Sequence, residues 1–247
     1  MNFAQKLRRA PYSAFVWIGG FAWMTVSFFA LMVVGLVRGG GPKLNMLAAY
    51  LMSHCSRLAY PDFKVIYSEG FDADQASIFC QNHVNFMDAH TACRVIPGPF
   101  CGMMLAWHFH IPAYGWVMQR TNGIPVPKER GGRTAILAAA VRDRIIQGIS
   151  VLVYPEAHRT RTGQVQKFKR GVFYMARDAG APVVPIAVHG AHAVNRKGTW
   201  LFNPGPVRVW VGPQHQTEGL DDAALERLVG TLQQKISAFV ETGIVPE

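Results

Sequence analysis

Between Arg9 and Arg38 lie 28 residues without a formal charge, dense in Phe15, Val16, Trp17, Ile18, Phe21, Trp23, Phe28, Phe29, Leu31, Val33 and Val34. As a helix rising about 1.5 Å per residue, this run is long enough to cross a hydrocarbon core of about 30 Å. Lys6, Arg8 and Arg9 precede it as the n-region of a signal peptide would, but the run outlasts an ordinary h-region and no A-x-A-like site closes it. It is therefore expected to stay on the chain. After Gly39-Gly40-Gly41-Pro42, a second apolar stretch runs from Leu44 to about Leu58, with Leu47, Tyr50, Leu51, His54 and Leu58 at three- and four-residue steps. Two helices joined by a glycine turn predict a membrane-associated hairpin over residues 1–59. It either spans once and then lies on the surface, or lies wholly in one leaflet with Lys and Arg toward the headgroups.

Of the 247 residues, 50% are apolar and 16% charged, which excludes a disordered chain. The formal charge of +10 favours an anionic partner: nucleic acid, acidic lipid or a phosphorylated substrate. Residues 120–170 carry eleven basic residues against Glu129, Asp143 and Glu156, whereas the stretch from Thr217 onward is acidic. Nucleic acid is disfavoured, because the basic stretch shows no helix-turn-helix, RNP or finger pattern. Cys55, Cys80, Cys93 and Cys101 form no C-x-x-C pair and no finger spacing, and read as reduced, packed thiols.

From residue 60 onward, branched and aromatic runs predict strands at Phe63 to Tyr67, Ser77 to Cys80, Val151 to Tyr154, Val183 to Val188 and Val207 to Val211. Thr134 is expected to cap a helix running to a stop at Gly148, and another helix spans Gly171 to Ala179 before Gly180. A last helix starts near Asp221, carries Leu225, Leu228, Leu232, Ile236 and Phe239 on one stripe, and stops before Gly243. Strands separated by helices imply crossover connections. The expected fold of residues 60–247 is thus one α/β catalytic domain, its mostly parallel or mixed sheet covered by helices, with the site at the strand ends.

The second of these strands runs into Gln81-Asn82-His83-Val84-Asn85-Phe86-Met87-Asp88. A His leaving a strand with an Asp five residues on can form a dyad, in which Asp88 binds one ring nitrogen and leaves the other as a base. The chain has no G-x-S-x-G elbow, so the proton would come from a substrate hydroxyl. After the next buried run comes Tyr154-Pro155-Glu156-Ala157-His158-Arg159, where Arg159 suits a phosphate and Glu156 would hold a hydroxyl or the Arg. Val184-Pro185-Ile186 follows.

The order H-x4-D, a glycine-rich basic segment, P-E-x-x-R after a strand and V-P-I at the next resembles the glycerolipid acyltransferase superfamily, which includes 1-acylglycerol-3-phosphate acyltransferases. The resemblance covers about residues 60–215 and places His83 and Asp88 on the family's catalytic dyad. Pro127-Lys128 replaces the usual Asp-Arg of the second motif, Ala157-His158 replaces the Gly-Thr of F-P-E-G-T-R, and Asn85 stands where Ser is common. The resemblance implies a membrane-associated O-acyltransferase at the cytoplasmic face of the inner or plasma membrane. It would move an acyl group from acyl-CoA or acyl carrier protein to a lysophospholipid, most simply 1-acylglycerol-3-phosphate. It further implies that Lys128, Glu156, Ala157, His158 and Arg159 bind the acceptor and that the thioester donor serves without a cofactor or metal.

A thioester is already activated, so the reaction needs a base, an oxyanion stabiliser and proximity. His83 would take the hydroxyl proton, Asp88 would stabilise the imidazolium, and backbone amides near the dyad would hold the oxyanion. Arg161, Lys167, Lys169 and Arg170 are candidates for acceptor or CoA phosphates, or a plain basic surface. Other lysolipid acceptors, an esterase or thioesterase activating water, and a non-catalytic binder of acidic lipid are the alternatives. His108, His110, His189 and His192 lack the acids or cysteines that would complete a metal set and read as hydrogen-bonded or interfacial. Trp107, Tyr114, Trp116 and Met118 are expected in the core or an acyl channel.

Overall fold

Branched residues make the central strands, and glycines with left-handed dihedrals end several of the helices between them. The computed structural model describes residues 3–112, 114–128 and 132–246, with side chains from residue 7 onward. The elements in order are α1 (Phe3–Arg38), α2 (Pro42–Ala59), β1 (Phe63–Tyr67), β2 (Ile78–Gln81), α3 (Asp88–Val95) and β3 (Phe100–Leu105). A 3₁₀ turn at Ala106–His110 leads to α4 (Tyr114–Arg120), β4 (Ile124–Val126), α5 (Arg133–Ile146), β5 (Ser150–Val153) and α6 (Gly171–Ala179). The chain closes with β6 (Val183–His189), α7 (Ala191–Val194), β7 (Val207–Val211) and α8 (Asp222–Thr242).

The seven strands form one sheet in the order β1-β7-β6-β2-β5-β3-β4. Every neighbouring pair is parallel except β6 with β7, so the expected mostly parallel, mixed sheet is what forms. β2 lies at the centre, between β6 and β5. Alternate residues feed two cores. Ile78, Cys80, Val151 and Val153 face α5, α6 and α8, while Phe79, Leu152, Val184 and Ile186 face α2, α3 and Val16 of α1.

The last helix follows the sequence closely. Asp221 caps it by accepting a hydrogen bond from Ala224 N (2.6 Å), Leu225, Leu232, Ile236 and Phe239 are buried, and Gly243 ends it at φ 70°. Thr134 departs from expectation. Gly132 takes a left-handed φ of 67° and the helix starts at Arg133 with no side-chain cap, so Thr134 lies within the first turn. The periodicity does not mark β3, β4, α3, α4 or α7.

The hairpin forms as expected and lies along the body. Trp23 Nε1 donates to Leu51 O (2.7 Å) and Tyr12 Oη to Leu58 O (2.9 Å), joining α1 to α2. Near one end of α1, Ser13 Oγ accepts from Phe202 N (2.9 Å). Near the other, Gly35 O accepts from Arg120 Nη1 (3.4 Å), and the glycine leaves just enough room for Trp116, whose ring an added Cβ would meet at 3.1 Å. The opposite flank of α1 exposes Phe15, Ile18, Phe21, Val26, Phe29, Val33 and Leu36.

Candidate active site

β2 delivers His83 at the carboxyl edge of the sheet, and the turn after it carries the chain into α3, whose first residue is Asp88. His83 Nδ1 lies 2.7 Å from Asp88 Oδ2, and the same oxygen accepts from Val84 N (2.6 Å) and Asn85 N (3.0 Å). The Asp88 side chain is 2% exposed and that of His83 21%, so the pair is sealed on the carboxylate side and open at the ring. Burial pushes the Asp88 carboxyl up, against the pull of the His83 ring and the two amides. A carboxylate on Nδ1 fixes the tautomer that leaves Nε2 as the acceptor of a proton.

Asn85, in the place commonly held by Ser, braces the turn. Its amide donates to Tyr60 Oη (3.1 Å), Ala191 O (3.3 Å) and Asn195 O (3.1 Å), while its carbonyl accepts from Met87 N (2.9 Å). Asn82 pairs with both backbone groups of Val188, extending the link between β2 and β6 by one residue.

The segment after β5 closes over this turn. Glu156 is 3% exposed, with Oε1 accepting from His83 N (2.7 Å) and Oε2 from Gln166 N (2.8 Å). The carboxylate therefore ties the dyad turn to the following loop, in place of the expected hold on a hydroxyl or on Arg159. Thr160 N donates to His83 O (2.8 Å), so both backbone groups of His83 are held by this one segment. The Tyr154 ring stacks on the His83 imidazole, with centroids 4.1 Å apart and planes 14° apart. That contact was not read from the sequence. Its signal was an aromatic residue leaving the strand next to the one that carries the His.

Ala157 and His158 are exposed and Arg159 is half-buried. Ala157 holds φ 65°, the left-handed region a glycine occupies freely, which accounts physically for the glycine usual there. No ion pair to the Arg159 guanidinium is present among the described residues. Lys128 is exposed and follows β4 at the same edge, but β3 stands between β4 and β5, so the strands that lead to Lys128 and to the third motif are about 10 Å apart. Arg170 pairs with Glu226 of α8, while Arg161, Lys167 and Lys169 are exposed.

The amides nearest the imidazole are committed: His83 N to Glu156, and Val84 N and Asn85 N to Asp88. The expectation that amides near the dyad hold an oxyanion is thus not met by these three.

A cavity of about 860 Å³ opens beside the dyad turn, walled by Phe86, Ala89, Cys93 and Leu152 and continued between α1, α2, β3 and α4 by Phe28, Met52 and Met104. Tyr114 and Met118 line it as expected, whereas Trp116 packs between Phe28 and Gly35 and Trp107 is 59% exposed. His108 Nδ1 is buried without a partner among the described residues, His189 Nδ1 lies 2.8 Å from Val240 O, and His192 Nε2 lies 3.3 Å from Arg161 O.

Residues 62–189 match the family described as acyltransferase. Among curated proteins, the chain is 32% identical over 132 residues to the 1-acyl-sn-glycerol-3-phosphate acyltransferase of Pseudomonas aeruginosa, covering 53% of this chain and 49% of that protein. It is 25% identical over 201 residues to the human 1-acyl-sn-glycerol-3-phosphate acyltransferase alpha, covering 79% of this chain and 70% of that one. The chain thus spans about half the length of the bacterial relative. The crystal structure of the 1-acyl-sn-glycerophosphate acyltransferase from Thermotoga maritima shares the fold, with a TM-score of 0.78 at 18% identity, over 96% of this chain and 99% of that one.

Proposed function

Since the chain belongs to the acyltransferase family, we propose that it moves a fatty acyl group from a thioester, acyl-CoA or acyl carrier protein, to the hydroxyl of 1-acylglycerol-3-phosphate, giving phosphatidate. The observation that carries the reading is the His83 Nδ1 to Asp88 contact of 2.7 Å, beside a cavity of apolar lining.

In the reaction, Nε2 of His83 takes the proton of the acceptor hydroxyl as its oxygen attacks the thioester carbonyl. Asp88 stabilises the imidazolium. The tetrahedral intermediate collapses with cleavage of the C–S bond, and the imidazolium returns its proton to the leaving thiolate. Tyr154 and Glu156 hold the base in place, the first by stacking on the ring and the second through its backbone. The acyl chain occupies the apolar cavity, and Arg159 takes the acceptor phosphate, its planar fork suited to two charge-assisted bonds. Lys128, two strands away, serves a more distant part of an anionic substrate.

The hairpin is read as a membrane-surface anchor. A helix that touches the body near both ends and is apolar on its outer flank lies in one leaflet rather than crossing away from the body.

The test is a panel of lysolipid acceptors offered with labelled acyl-CoA and acyl carrier protein. Phosphatidate from lysophosphatidate as the main product is expected. Free fatty acid as the main product with acceptor present would assign an esterase or thioesterase instead.

A further inference from the structure

A second cavity, of about 550 Å³, lies where the N-terminal part of α1 meets residues 193–203. Arg9, Arg196, Lys197, Thr199 and Asn203 line it, with no carboxylate in the lining among the described residues. Cationic side chains lining a concave surface focus positive potential there. Lys197 uses one N–H on Arg159 O (3.4 Å) and keeps others for a ligand.

The segment is already folded for binding. Trp17 Nε1 donates to Trp200 O (2.7 Å), Asn195 Nδ2 to Leu201 O (3.0 Å) and Thr199 O (3.2 Å), and Asn203 N to Val194 O (2.8 Å). A ligand entering it would pay little to order the loop.

Its depth follows from the helix beside it. Arg9 is the last charge before the 28-residue uncharged run, and Trp200 next to the cavity is 53% exposed. With the outer flank of α1 in lipid, the cavity opens at headgroup level, where indole rings settle. We propose that this cavity binds the phosphate of an anionic phospholipid of the host bilayer, separately from the acceptor held at Arg159. Arg196 supplies the fork and Lys197 a point charge. The proposal rests on the reading of α1 as a surface anchor, and the test separates the two.

The full-length protein is sedimented with vesicles of phosphatidylcholine alone and of phosphatidylcholine with phosphatidylglycerol. Binding to pure phosphatidylcholine reports the α1 anchor; a protein left in the supernatant contradicts the anchor and this proposal together. Phosphatidylglycerol should tighten wild-type partitioning by about five- to thirtyfold, given two cations near the surface. Arg196→Glu with Lys197→Glu should remove that gain, and the Gln pair should remove part of it. The same charge change at exposed Lys64 and Arg227 should leave most of it. An equal gain in the Arg196 and Lys197 variants, or an equal loss at Lys64 and Arg227, overturns the site. Inorganic phosphate that raises the wild-type unfolding temperature as much as phosphatidylglycerol does, with the rise lost in the Arg196 and Lys197 variants, assigns free phosphate and overturns the lipid source.

Discussion

Ala157 holds φ 65° without a glycine's freedom, at a cost of about 1–2 kcal/mol that glycine's extra chain entropy partly offsets. Ala157→Gly should therefore stabilise the protein by about 0.5–1 kcal/mol, raising the unfolding temperature by about 1–3 °C, with the acceptor profile unchanged. A shifted acceptor profile in that single variant would mean that the position contacts substrate. Arg159→Ala should raise the acceptor KM or lower kcat/KM by about ten- to a hundredfold, with the thioester KM changing less, because charge-assisted bonds contribute about 1.5–3 kcal/mol each. Tyr154→Phe should keep near wild-type turnover, since the buried hydroxyl has no hydrogen-bond partner among the described residues and the ring carries the stacking. The sequence made the His83 and Asp88 spacing legible because both lie on one short turn. It hid the role of Glu156 because that carboxylate meets a backbone amide 73 positions away, and composition does not register a backbone partner.

Asn45 shows how the elements are locked. Its amide donates to Phe100 O and Thr121 O, both at 2.8 Å, and its carbonyl accepts from Asn122 Nδ2 (2.9 Å), joining α2 to the start of β3 and the end of α4. Asn45→Ala should destabilise by about 1–3 kcal/mol, read as a fall in the denaturant midpoint, because it takes the side-chain donor from one buried and one partly buried carbonyl. On α1, Ile18→Glu with Val26→Glu should weaken vesicle binding by at least tenfold without unfolding the protein, as both residues are more than half exposed. Unchanged sedimentation of that variant would contradict the anchor. Long periodic elements such as α8 and buried strands such as β6 could be read in advance. β3 carries Gly102 and two methionines, β4 is three residues with a central proline, and α4 is seven residues, each too short or too mixed for periodicity to show.

At the scale of the whole molecule, the central strands bring the base and the Arg159 segment to one edge, while α1 and α2 wall the cavity beside them and carry the apolar flank. pH enters through two partly buried imidazoles. Burial lowers the pKa of His90, against the pull of Met52 O, and burial followed by Lys235 lowers that of His215. Both are neutral in the folded state where the unfolded chain would bind a proton, so they contribute stability above pH 6.5 that is lost progressively as pH falls below it. His90→Gln should flatten that decline in unfolding free energy. The central claim is acyl transfer by the His83 and Asp88 pair, and the most direct measurement is phosphatidate formation by the full-length protein in vesicles, wild type against His83→Ala. A loss of about a hundredfold or more, with membrane binding and unfolding temperature retained, is the predicted result; turnover near the wild-type rate would contradict it.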